Sequence, residues 1–146
     1  MKKLIIILAI AIAVTTYGYF TNNPDLIGSV LQQTESVNQS LQTVYNNQQS
    51  DVQVKGSGVV LKLLRDDMDG SRHQRFILKI TPDQTLLVAH NIDLAPKITS
   101  LKKGDSVEFN GEYEWNSRGG ILHWTHHDPR GRHINGWLKH NDRTYQ

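Results

Sequence analysis

The chain of 146 residues contains no cysteine. That absence excludes a disulfide framework, thiolate catalysis and thiolate zinc sites. The fold must therefore rest on an apolar core, and only His, Asp and Glu can ligate a metal. A strong excess of one charge is also missing, with 16 Lys and Arg against 14 Asp and Glu. Lys2 and Lys3 sit at the very start, and Asp25 and Glu35 in a polar stretch, so the remainder is close to balanced. A polyanionic partner is permitted by such a balance only if the basic residues segregate on one face. There is no HExxH motif either, which removes the helical zinc-protease signature.

One long apolar run is present. "MKK" is followed by "LIIILAIAIAV" from Leu4 to Val14, with no polar face, and then by "TTYGYF". Residues 1–20 read either as a cleaved secretory signal or as an uncleaved signal anchor. Counted to Phe20, the run reaches about 17 residues, the lower limit for a spanning helix. Both readings export the rest of the chain, to the periplasm, the inner-membrane surface or the medium, and keep Lys2 and Lys3 inside.

Residues 21–50 change to Gln, Asn, Ser and Thr and read as a polar, partly helical linker or stalk. Ile27, Val30, Thr34, Val37, Leu41 and Val44 recur at alternating spacings of three and four, a short heptad-like seam opened by Pro24 and Asp25. Weak self-association through residues 25–46 is one consequence of that seam; the other reading is a plain spacer.

Residues 51–146 form the folded domain. Alternating apolar residues mark strands over Val52–Leu64, Gln74–Ile80 and Gln84–His90, with Gly56 and Gly58 placed to bend the first. "LKKGDSVEFNGEYEW" supplies a fourth strand launched by its Gly-Asp turn, and Gly119–Asp128 a fifth. A short element containing Trp137 and Leu138 follows. The fold class is all-β with little helix: a five-stranded Greek-key barrel like the oligonucleotide/oligosaccharide-binding (OB) fold. Val59, Leu61, Phe76, Leu78, Leu87, Val107, Phe109 and Ile121 are the expected core.

The blocks "GSRHQRFIL", "LLVAHNIDLAP", "GDSVEFNGEYEW", "HWTHHDPRGRH" and "GWLKH" are similar to a bacterial family known as domain of unknown function 3465. The resemblance runs from about Val52 to Gln146. It implies a small exported protein with a short N-terminal leader, and it carries no activity, cofactor or catalytic residue.

All seven histidines follow residue 72, and four of them fall between His123 and His133. On a strand, His123 and His127 share one face, so with Asp128 they are the candidate ligands for a divalent ion such as Zn, Mg or Ca. Glu112 and Glu114 also share a face, opposite Tyr113 and Trp115, and offer a carboxylate pair for acid–base work or simply a wet strand surface. Arg72, His73 and Arg75 place positive charge at the mouth of the second strand. Together with Arg130, Arg132, Trp115 and Trp124 they make a candidate surface for an extended anion, a nucleic acid or an envelope glycan, because single-strand binding combines a basic groove with aromatic platforms. A binding module of this kind is the leading functional expectation. A metal-assisted hydrolase or phosphodiesterase built on residues 123–133, and a structural or partner-binding piece of an envelope complex, are the alternatives.

Overall fold

The computed structural model describes Gly28 and residues 40–146. The expected leader at residues 1–20, and Ile27, Val30, Thr34 and Val37 of the expected seam, lie outside the described residues. Among the described residues no helix is long and apolar enough to cross a membrane. Residues 40–46 are helical. Leu41 from this segment is fully buried in the hydrophobic core and Val44 packs against it, so two seam positions contribute to the folded domain.

Five strands close into a barrel: β1 (Val52–Leu63), β2 (His73–Lys79), β3 (Thr85–Asn91), β4 (Ser106–Glu114) and β5 (Ile121–His123). Around the barrel the order is β1-β2-β3-β5-β4, closed by pairing of β4 with β1. The β3–β5 contact is parallel and the others are antiparallel, the arrangement of an OB-like barrel. Closure depends on the long β1. Val52 to Val59 pair with β4, Val59 to Leu63 with β2, and Val59 is opposite both Ser106 and Lys79. A register shift follows between Val60 and Lys62, the bulge that lets one strand serve two sheet directions.

Two further strands, β6 (Trp137–His140) and β7 (Arg143–Tyr145), form a hairpin that joins the same edge of β4 as β5. Asn141 and Asp142 make its turn, both with positive φ, as a tight two-residue connection requires. Leu138 and Tyr145 are thereby buried in the core. The expected single element around Trp137 and Leu138 is thus one arm of a hairpin.

Phe76, Leu78, Val107 and Phe109 are in the core as expected. Val59 and Leu61 are not; they are 48% and 43% exposed on the outer face. Leu87 and Ile121 are likewise only partly buried. The inward positions are their neighbours Val60, Leu86, Val88 and Leu122. These strands carry apolar residues on adjacent positions, so alternation leaves the phase undefined until the barrel closes.

The β4–β5 turn shows how tightly the hairpin is fitted. Gly120 has φ +95, and a Cβ there would lie 2.2 Å from the Tyr113 ring. Tyr113 is fully buried, and its hydroxyl donates to the Gly119 carbonyl at 3.1 Å. Gly131 also has positive φ, at +63, but open space around it. Chemical denaturation should therefore show Gly120→Ala losing more than about 3 kcal/mol, through both strain and overpacking. Gly131→Ala should lose only about 1–2 kcal/mol, from backbone strain alone. Equal losses would show that the ring contact contributes nothing.

Candidate functional site

The functional surface is built where β5 ends. Leu122 points inward and His123 outward, and then Trp124 adopts φ 51, an uncommon left-handed conformation for a tryptophan. The chain leaves the sheet there, five residues before the expected end of the strand at Asp128. It returns through a loop over residues 124–136, whose base is closed by the Gly136 N–H donating to the His126 carbonyl at 3.0 Å.

Asp128 organises that loop. Its carboxylate accepts the backbone N–H groups of Arg130 (2.9 Å), Arg132 and His133 (2.9 Å). Its own N–H donates to the Asn135 side chain at 2.9 Å. Led by the bond from Arg130, and against the opposing effect of burial, these donors hold the carboxyl below the usual carboxylate range. Asp128 is consequently occupied as a loop brace. His127 is exposed, and the expected ligand set His123, His127, Asp128 does not converge. The strand alternation that placed His123 and His127 on one face is broken at Trp124.

A cleft of about 480 Å³ opens between this loop and the ends of β2 and β3. His73, Asn91 and Asp93 line one side, and His123, Trp124, His126, Asp128, Arg130 and Arg132 the other. Four residues expected on a ligand surface therefore meet here: His73, Trp124, Arg130 and Arg132. Trp124 is stacked on His133, with ring centroids 3.6 Å apart and planes 14° apart. His126 is buried, and its Nδ1–H donates to the His127 carbonyl at 2.7 Å.

The other three expected residues are engaged elsewhere. Arg72 forms an ion pair with Asp93, whose carboxylate also accepts the Arg72 backbone N–H at 2.7 Å. Those bonds hold Asp93 below its ordinary range. Arg75 donates to the Arg65 carbonyl at 3.2 and 3.1 Å and lies 3.7 Å from Asp67, bracing the β1–β2 connection. Trp115 packs against the core and stacks with Tyr45 at 6.5 Å. None of the three lines the cleft.

Beside the cleft, antiparallel pairing sets Glu112 directly opposite His123. Glu114, two residues on, shares the same outer face. His123 Nε2 lies 3.6 Å from Glu112 and 3.8 Å from Glu114, and His133 Nδ1 lies 3.1 Å from the other Glu112 oxygen. Among the described residues, Glu112, Glu114 and His123 are the one group of three such side chains whose ligand atoms all fall within 4.8 Å. Sequence reasoning treated the glutamates and the histidines as separate clusters. The signal that joins them is the "NSRG" turn, which folds "GEYEW" back on "GGILH" as a hairpin.

The floor of the region is polar and buried. His90 is fully buried on β3; its Nε2–H donates to the Pro96 carbonyl at 3.2 Å, and its Nδ1 accepts the Thr125 hydroxyl at 2.8 Å. Gln74, also buried, makes two 2.9 Å bonds with the Ile98 backbone. Together they pin the 92–105 connection and the start of the 124–136 loop to the barrel.

A family model described as protein of unknown function (DUF3465) matches residues 26–146 of this chain. No curated protein matches it.

Burial, together with the nearby His126 and His73, lowers the His90 pKa from 6.5 to about 4, against opposing hydrogen bonds. The unfolded chain therefore binds a proton near pH 6.5 that the folded chain refuses until about pH 4. This contribution is fully present above pH 6.5 and is lost as pH falls through that window, with a total of about 3 kcal/mol. Denaturant unfolding from pH 7.5 to 4 should show that decline. His90→Gln, whatever its absolute stability, should flatten the slope, and an unchanged slope would reject the assignment.

Proposed function

We propose, for a chain that belongs to the DUF3465 family and so inherits no assigned activity, that the barrel is an exported binding module for an extended anionic ligand. Single-stranded nucleic acid is the ligand class it suits best. One observation carries this reading: the state of the charged groups around the cleft. Its two carboxylates are committed, Asp93 to Arg72 and Asp128 to the backbone of its own loop. Arg130 and Arg132 have no side-chain partner among the described residues, and His73, His123 and His126 stand with them on the cleft wall. Arg130 and Arg132 are therefore the cleft's side-chain cations left without an ion-pair partner, although the chain as a whole is nearly neutral.

Several features support the finer assignment. Trp124, steadied by His133, provides an aromatic face beside those cations, and stacking of a base on such a face contributes roughly 1–3 kcal/mol. OB-like barrels bind both oligonucleotides and oligosaccharides on such surfaces, a fold-level analogy that carries less weight than the charges themselves. The apolar leader argues for a site of action outside the cytoplasm, either released or held at the inner membrane. An acidic envelope glycan would satisfy the same arginines.

Fluorescence anisotropy with labelled single-stranded DNA and RNA, and with an anionic polysaccharide, tests this reading on the full chain. Binding of the oligonucleotides should weaken steadily with salt. Arg130→Ala with Arg132→Ala should reduce the slope of log affinity against log salt by about 1.4, two phosphate contacts at about 0.7 each. Trp124→Leu should weaken binding about tenfold or more, and Arg75→Gln should have little effect on the slope. Polysaccharide binding without oligonucleotide binding would transfer the site to glycans. No binding of either at low salt would reject the module.

A further inference from the structure

The carboxylate–histidine cluster beside the cleft has a geometry that hydrogen bonding within the chain does not explain. His123 Nε2 is buried and has no hydrogen-bond partner. Its separations of 3.6 and 3.8 Å from the two glutamates exceed hydrogen-bond length. They do match the spacing of donors around a shared ion. With bonds of about 2.1 Å to nitrogen and carboxylate oxygen, a tetrahedral cation holds neighbouring donors about 3.4 Å apart. We propose that Glu112, Glu114 and His123 form a site for a single divalent transition-metal ion of the zinc class, with His133 orienting Glu112 from outside the coordination sphere.

Each part has a cause in the fold. The register of the β4–β5 hairpin fixes Glu112 opposite His123, and alternation puts Glu114 on the same face. Tyr113 between the glutamates, and Leu122 before the histidine, are fully buried, so the three ligands hang from anchored backbone. His133 Nδ1–H donates to one oxygen of Glu112, which leaves the other for the ion, and stacking on Trp124 holds the His133 ring in place. Outer-sphere partners of this kind typically raise metal affinity by 10–100-fold. One imidazole and two carboxylates, with no thiolate, suit zinc or manganese; the imidazole disfavours calcium and magnesium. Two carboxylates this close repel when both are ionised, and a dication between them turns that repulsion into attraction. Three protein donors also leave an open position for water or a ligand. This inference does not rest on the anion-binding reading.

The rival is a protonated His123 paired with both glutamates, which needs no metal. Calorimetric titration of the chelator-stripped full chain with zinc chloride alone, at pH 7.5, separates the two. The site predicts one equivalent bound. Glu114→Gln should weaken that binding at least tenfold, and His133→Phe, which keeps the stacking but removes the hydrogen bond, should weaken it about tenfold. His127→Asn, at an exposed histidine outside the cluster, should leave it unchanged. Glu114 is partly exposed, so the Gln variant is expected to fold, and circular dichroism checks that it does. No stoichiometric uptake overturns the proposal. Uptake that survives Glu114→Gln, or that falls equally with His127→Asn, also overturns it, because the zinc is then held by surface histidines. The titration contains no nucleic acid, so its failure would leave the oligonucleotide result standing, and the reverse.

Discussion

The double pairing of β1 fixes the orientation of every side chain that follows. Because Val59 faces both β2 and β4, the five strands close, and closure determines which residue of each strand points inward. Once Tyr113 is inside, Glu112 and Glu114 must be outside; once Leu122 is inside, His123 must be outside. Register between β4 and β5 then brings those outward groups together. Chemistry that lies dozens of residues from β1 is thus positioned by the way that strand divides itself between two neighbours.

Above the barrel, order is imposed by buried polar groups. Gln74 and His90 reach backbone or hydroxyl partners in segments that have no strand to hold them. Asp128 does the same for the 124–136 loop by gathering three N–H groups. Such groups are destabilising to bury unless satisfied, and each bond that satisfies them removes conformational freedom from a loop. Asp93 and Asp128 are used in this way, and Arg130 and Arg132 are not. A chain with little net charge can therefore leave two arginines unpaired on one cleft wall.

Much of the fold was legible from alternation and from the Gly-Asp turn that launches β4, because both are local signals. The phase of β1, β3 and β5 was not. Val59–Val60, Leu86–Leu87 and Ile121–Leu122 each offer two adjacent apolar residues, and only closure decides between them. The end of β5 was equally hidden, since a left-handed tryptophan has no sequence signature; His127 and Asp128 fell with it. Of the site, the residue types around the cleft were readable, and four of seven expected ligand-surface residues line it. What was lost was which charges are already spent, a property of Asp93, Asp67 and the loop backbone rather than of the arginines themselves. The Glu112–His123 pair lay within reach, through the symmetry of the hairpin that the "NSRG" turn closes.

The two proposed sites bear on each other through His123, which lines the cleft and also faces both glutamates. Without a cation, two carboxylates stand beside the proposed anion-binding surface, and their field opposes the attraction of Arg130 and Arg132. A dication on Glu112, Glu114 and His123 cancels that opposition, because the local charge moves from about −2 to zero. Binding of the cation and binding of the anion should therefore favour one another, and by linkage each would raise the affinity for the other by the same factor. The barrel needs no movement for this coupling, since the hairpin that presents the metal ligands also ends at the cleft wall.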